Sequence, residues 1–98
     1  MDDDEFYMEL LETYVNGAKE KEDTIRQSFE SKDWKNYQVA VHGLKSSSRT
    51  IGADRLADLA YAQEMAAKEQ DVSTMEAGVE ELLKTYGEVT KVIEEAIR

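Results

Sequence analysis

The chain contains no cysteine and no proline. Without cysteine there is no disulfide framework and no thiolate metal site. Without proline, no ring clashes with a helix and no backbone N–H is missing from one. No apolar run approaches the ~18 residues that a membrane span needs. The first residues, Met1-Asp2-Asp3-Asp4-Glu5, are acidic where a secretory leader is basic. Basic residues are also scarce, 12 against 22 acids, for a formal net charge of -10. A chain this acidic is a poor binder of DNA, RNA or anionic membrane. These absences predict a soluble, cytoplasmic protein with no nucleic-acid or membrane contact.

What is present reads as helix. The 98 residues, 41% of them hydrophobic, are enough for one domain with its own core, expected over 1–98. Over 3–15, Phe6, Leu10 and Tyr14 share one face with Leu11 beside them. Asp2 to Asp4 suit a helix N-terminus, where the dipole favours anions. Asn16-Gly17 predicts a break. Another helical stretch follows over 18–31, with Ile25 and Phe29 four apart, so the N-terminal region reads as a pair of helices or a single broken one. Residues 31–33 read as cap and turn. A helix over 34–51 stops at Gly52. The next, over 54–69, turns Leu56, Leu59, Ala60 and Ala67 inward. Asp71 caps the last helix, with Ser73 and Glu76 as a capping-box alternative. That helix carries Val72, Met75, Val79, Leu82, Tyr86, Val89, Ile93 and Ala96 at alternating spacings of three and four, the seam of a bundle helix. Gly78 and Gly87 fall off the seam and weaken it. The pattern predicts an all-α, antiparallel up-down four-helix bundle with an additional or broken N-terminal helix.

The helix over 34–51 carries the candidate chemistry. At about 100° per residue, Tyr37, Val41, Leu44, Ser48 and Ile51 fall within about 40° of one direction, with Ala40 nearby. That is the core stripe. His42, the only histidine, points roughly 140° away from it. Lys35, Gln38, Val39, Lys45, Ser46 and Arg49 share its side. No acid occurs from 34 to 53, where even mixing of the 22 acids would place about four or five. An exposed imidazole is a nucleophile at neutral pH. Lys45 and Ser46, one turn on, reach a group bound to His42. A phosphoryl group there adds close to two negative charges. A cation and a hydroxyl, with no carboxylate on this helix to repel it, suit that product. Val39, exposed and apolar beside His42, offers a docking anchor. The bland reading is a solvated surface histidine with serines 46–48 as filler, yet three serines in mid-helix are poor helix formers. A di-metal bundle needs Glu-x-x-His on two helices. One histidine, with Val39 three residues before it, excludes that site.

The run His42-Gly43-Leu44-Lys45-Ser46-Ser47-Ser48-Arg49-Thr50-Ile51-Gly52-Ala53 resembles the signature of histidine phosphotransfer (HPt) domains. That signature is a histidine, leucine two on, lysine three on, a small-residue run, and glycine ten on. The resemblance extends to Asp33-Trp34 before it, to Leu56, Leu59, Ala60 and Glu64 in the next helix, and to Lys68-Glu69-Gln70-Asp71 before the last. It implies that His42 is phosphorylated on Nε2, that Lys45 pairs with the phosphate, and that Gly52 ends the helix and sets the next one. Ser46 stands where glycine is usual and could add a phosphate contact. Glu64 and Lys68 fall where the family places polar residues near the histidine. The implied activity is a phosphorelay intermediate, taking a phosphoryl group from a receiver-domain aspartate and passing it to another receiver. No Gly-rich nucleotide loop is present, so a phosphocarrier is implied rather than a kinase. The implied partners are response-regulator receiver domains and a hybrid sensor histidine kinase, docking over Lys35, Gln38, Val39, Arg49, Glu64 and Lys68. The resemblance implies no intrinsic cofactor, Mg²⁺ on the receiver, and a monomer. Gly43 beside His42, and Gln63 in place of a common aliphatic, depart from the pattern. Two alternatives stay open: a non-catalytic adaptor, in effect a degenerate HPt domain that binds a receiver or other partner without carrying phosphate, and a dimeric structural bundle.

Overall fold

The computed structural model describes residues 3–98; Met1 and Asp2, the latter expected at the helix N-terminus, lie outside the described residues. Four helices follow one another: α1 (Asp3–Glu30), α2 (Trp34–Thr50), α3 (Asp54–Lys68) and α4 (Val72–Ile97). No strand occurs among the described residues. Each helix packs on its neighbours in the ring α1, α2, α3, α4 and back to α1, while the backbones of diagonal pairs make no close approach among the described residues. This is the expected antiparallel up-down bundle. None of the helices is long and apolar enough to cross a membrane.

The N-terminal region departs from expectation. α1 is a single unbroken helix of 28 residues, and no break occurs at Asn16-Gly17. Tyr14, Val15 and Ala18 are buried around that pair. A mid-helix glycine costs about 0.5–1 kcal/mol. Burying a single large apolar side chain contributes more, about 1.5–3 kcal/mol, so packing holds the helix through.

Helix length explains a further departure. The bundle measures 43 × 19 × 18 Å, and 28 residues at ~1.5 Å each make α1 alone as long as the molecule. With 17 and 15 residues, α2 and α3 are shorter. The start of α1 and the end of α4 therefore overhang them. Phe6, expected on the core face, is 56% exposed, and Ala96, expected on the seam, is exposed as well.

All three turns have the same construction. Lys32, Gly52 and Gln70 adopt φ of 59°, 84° and 56°. In each turn the following N–H reaches five residues back: Asp33 to Ser28, Ala53 to Ser48 and Asp71 to Ala66. This is the Schellman closure, which satisfies carbonyls left free at a helix end. Asp33 and Asp71 then accept hydrogen bonds from the backbone N–H groups of Asn36 and Thr74, capping α2 and α4. The Ser73–Glu76 alternative is not used. Ala53 caps α3 without a side-chain bond.

The expected α2 stripe points inward. Tyr37, Val41, Leu44 and Ser48 are buried, with Ala40 and Ile51 partly so. Ser48 is satisfied by a 3.0 Å hydrogen bond with the Tyr14 hydroxyl. Gln63 also finds its reason here: it is buried and accepts a 2.6 Å hydrogen bond from the Tyr37 hydroxyl. Gly78 of α4 lies directly against the Gln63 amide, and a Cβ there would collide with it. Gly78 is therefore a close-approach position between α3 and α4.

Candidate functional site

His42 sits midway along α2 with its side chain 57% exposed. The core stripe of α2 faces away from it, so burial of Val41 and Leu44 fixes the direction in which His42 points. α3 packs alongside and inserts Glu64 beneath the imidazole. The Glu64 side chain is 4% exposed, and its Oε2 lies 2.7 Å from His42 Nδ1. Its Oε1 accepts a hydrogen bond of 2.7 Å from Lys45 Nζ. Lys68, one turn along α3, places its Nζ 3.8 Å from Oε2. One buried carboxylate thus ties together a histidine and two lysines from two helices.

The charge state of Glu64 follows from these partners. Burial by itself pushes its carboxyl up, but hydrogen bonds from Lys45 and His42, with their charge, hold it below its ordinary value. An ionised carboxylate only accepts hydrogen bonds. The 2.7 Å contact therefore requires the proton on His42 Nδ1. In the neutral form of the ring the lone pair is then on Nε2, the nitrogen not bound to Glu64. Holding one ring nitrogen to set the chemistry of the other is a general device of reactive histidines.

Lys35, Ser46 and Arg49 are exposed as expected, Val39 is 65% exposed, and Gln38 is half-buried. Lys45 is mostly covered, at 14% side-chain exposure. Lys68 is exposed. Glu64, expected on the docking face, instead lies under it. The absence of acid around His42 holds for α2 alone, because α3 supplies a carboxylate at contact distance. Gly52 ends α2 in the left-handed conformation, as expected. A Cβ on Gly43 would meet nothing within 4 Å. Gly43 and Val39 line a shallow groove with Gly17, Glu20, Lys21 and Thr24 of α1, beside His42.

Linear spacing did not single out Tyr61. Its ring is 45% exposed, with Lys45 Nζ 5.3 Å and Arg49 Cζ 5.9 Å from its centre. Tyr61 stands three residues before Glu64, on the same face of α3. That spacing is a usable signal only once Glu64 is known to face α2. No cluster of three or more potential ligands for a metal ion occurs among the described residues.

The sequence model of the Hpt domain matches residues 9–96, nearly the whole bundle. The chain is similar to the phosphorelay intermediate protein rdeA of Dictyostelium discoideum, at 32% identity over 89 residues. Those residues are 91% of this chain and 35% of rdeA, so the chain spans about a third of that relative's length. No solved structure matches significantly. The matched span holds the outward histidine, its lysine and the helix-ending glycine in a four-helix ring. The chain belongs to the Hpt domain family.

Proposed function

We propose that this domain is a phosphorelay intermediate that receives a phosphoryl group on His42 Nε2 from a receiver-domain aspartate and returns it to another receiver. The observation that carries the reading is the 2.7 Å contact between His42 Nδ1 and the buried Glu64 carboxylate, which in the neutral ring leaves Nε2 as the nucleophilic nitrogen of a half-exposed side chain. A receiver docks over Val39 and the groove beside it, bringing its aspartyl phosphate and Mg²⁺. The Nε2 lone pair attacks phosphorus in line, and the phosphorus–oxygen bond to the aspartate breaks, returning its electron pair to the carboxylate. No proton needs to move, because Nδ1 already holds it. The phosphorylated ring carries positive charge, which Glu64 offsets from below. Lys45, and the exposed Ser46 hydroxyl, face the phosphoryl oxygens. Phosphoryl transfer of this kind depends on positioning and charge compensation rather than on further covalent chemistry. Transfer is reversible, so the domain is a carrier, not a kinase. In this reading it works as a monomer in the cytoplasm, fed by a hybrid sensor histidine kinase.

The test is intact mass and phosphorus NMR after incubation with receiver domains charged by acetyl phosphate. Wild type should gain one acid-labile phosphate, and His42→Gln none. Because His42 is exposed, the variant should keep its helical circular dichroism. A folded wild type that takes phosphate from no receiver, yet binds one, would establish the adaptor reading instead.

A further inference from the structure

Arg49 differs from every other arginine in the chain. Arg26, Arg55 and Arg98 pair with Glu80, Glu81 and Glu94. Arg49 pairs with no carboxylate among the described residues, although the chain holds 22 acids. Its guanidinium lies over the exposed ring of Tyr61, 5.9 Å from the centre, next to Lys45 over the same ring. A cation held over an aromatic face is attracted by the ring quadrupole while its N–H fork stays unused. That fork matches the two oxygens of a carboxylate.

Position adds to the case. Arg49 is seven residues beyond His42, about two turns or ~10 Å along α2 in nearly the same direction. Val39 lies almost a turn before His42 on the same side. An apolar anchor and a planar cation therefore bracket the nucleophile. In-line attack requires the receiver to be fixed in rotation as well as distance, and two anchors on either side of the reacting atom do this. The bland explanation is that a cation near the end of α2 complements the helix dipole. The dipole needs neither an aromatic ring nor an empty fork, and lysine would serve it equally.

We infer that Arg49, stacked on Tyr61, is a carboxylate-reading site. It takes an aspartate or glutamate on the rim of the receiver and so orients that receiver over His42. The inference rests on the phosphocarrier reading and adds to it a further contact that selects the partner. Lys45 serves the phosphoryl group, while Arg49 serves the receiver's surface.

Single-turnover transfer from a phosphorylated receiver domain tests this, with labelling of His42 by phosphoramidate as the control that needs no receiver. Arg49→Ala and Tyr61→Ala should each slow receiver-dependent transfer by about three- to tenfold, the scale of an exposed charged contact. Tyr61→Phe, which keeps the ring, should transfer like wild type. Arg49→Lys, which keeps the dipole charge but not the fork, should stay close to Arg49→Ala. Labelling by phosphoramidate should be the same in all of them. Wild-type transfer by Arg49→Ala or Arg49→Lys overturns the inference and leaves the phosphocarrier reading intact. Equal slowing of receiver transfer and phosphoramidate labelling also overturns it, because the fault would then lie at His42. A wild type labelled by phosphoramidate that accepts nothing from any receiver overturns the phosphocarrier reading, and this inference with it.

Discussion

At the residue scale the decisive group is Glu64, a buried carboxylate whose oxygens are claimed by His42 and Lys45. It fixes a proton on His42 Nδ1 by accepting its hydrogen bond, and in the proposed transfer it offsets the positive charge of the phosphorylated ring. Glu64→Gln keeps the shape but loses that charge, so single-turnover transfer should slow by about tenfold or more. An unchanged rate in a folded variant would remove Glu64 from the mechanism. Stability reports on the same group. The folded carboxyl lies below its ordinary value of 4.5. Its contribution is therefore present above about pH 4.5 and lost as pH falls through the folded value. Urea melts at about pH 7 and about pH 3 should show wild type losing more stability than Glu64→Gln over that interval. Glu64→Ala at neutral pH should lose about 1–2 kcal/mol, below the figure for a fully buried pair because His42 is more than half exposed.

At the element scale the three turns share one closure but not one residue type. Only the turn between α2 and α3 has glycine in the left-handed position; the others use Lys32 and Gln70. A side chain there is strained by about 1 kcal/mol. Lys32→Gly should accordingly stabilise the fold by about 0.5–1 kcal/mol, read as a higher urea midpoint at unchanged slope. Gly17 lies inside α1, and an added Cβ would approach nothing nearer than Lys21 Cε at 3.8 Å. Gly17→Ala should also stabilise, by about 0.5–1 kcal/mol; a loss would mean that α1 needs the flexibility its sequence suggests. Gly78→Ala should act in the opposite sense. The new Cβ displaces the buried Gln63 amide and breaks its bond from Tyr37, for a loss of about 1–3 kcal/mol in the same melts.

At the scale of the molecule, charge is divided unevenly. The chain is strongly acidic, with net charge -10. Yet the exposed face around His42 carries Lys35, Arg49 and Lys68, the carboxylate against the histidine is buried and paired with two lysines, and Glu20 is the acid that lines the groove beside Val39. A cationic face on an anionic body orients an acidic partner as it approaches, and salt screens that field with a Debye length of about 10 Å at 0.1 M. Association with a receiver should weaken as salt rises, chiefly through the on-rate, in stopped-flow measurements. Salt-independent association would mean that the apolar groove beside Val39 dominates docking. The overhang of α1 and α4 leaves Phe6, Tyr7 and Val92 exposed, with the Tyr7 hydroxyl donating to the Ile51 carbonyl at the end of α2.

Sequence alone determined what local chemistry and periodicity control. The seam of α4, the stripe of α2, the caps at Asp33 and Asp71, and the stop at Gly52 depend on residues a few positions apart, so linear spacing contains them. The outward direction of His42 follows likewise from the stripe opposite it. Tertiary structure decided everything that depends on which faces meet. Asn16-Gly17 reads locally as a break, and only burial of the residues around it keeps α1 whole. Phe6 reads as core, and only the shortness of α2 and α3 leaves it uncovered. Glu64 reads as one more surface acid in an acidic chain. It lies a full helix away from His42 in the sequence, and no periodicity within one helix determines how the next is rotated against it. The packing of α3 on α2 sets that rotation, placing a carboxylate under the imidazole and Tyr61 under Arg49.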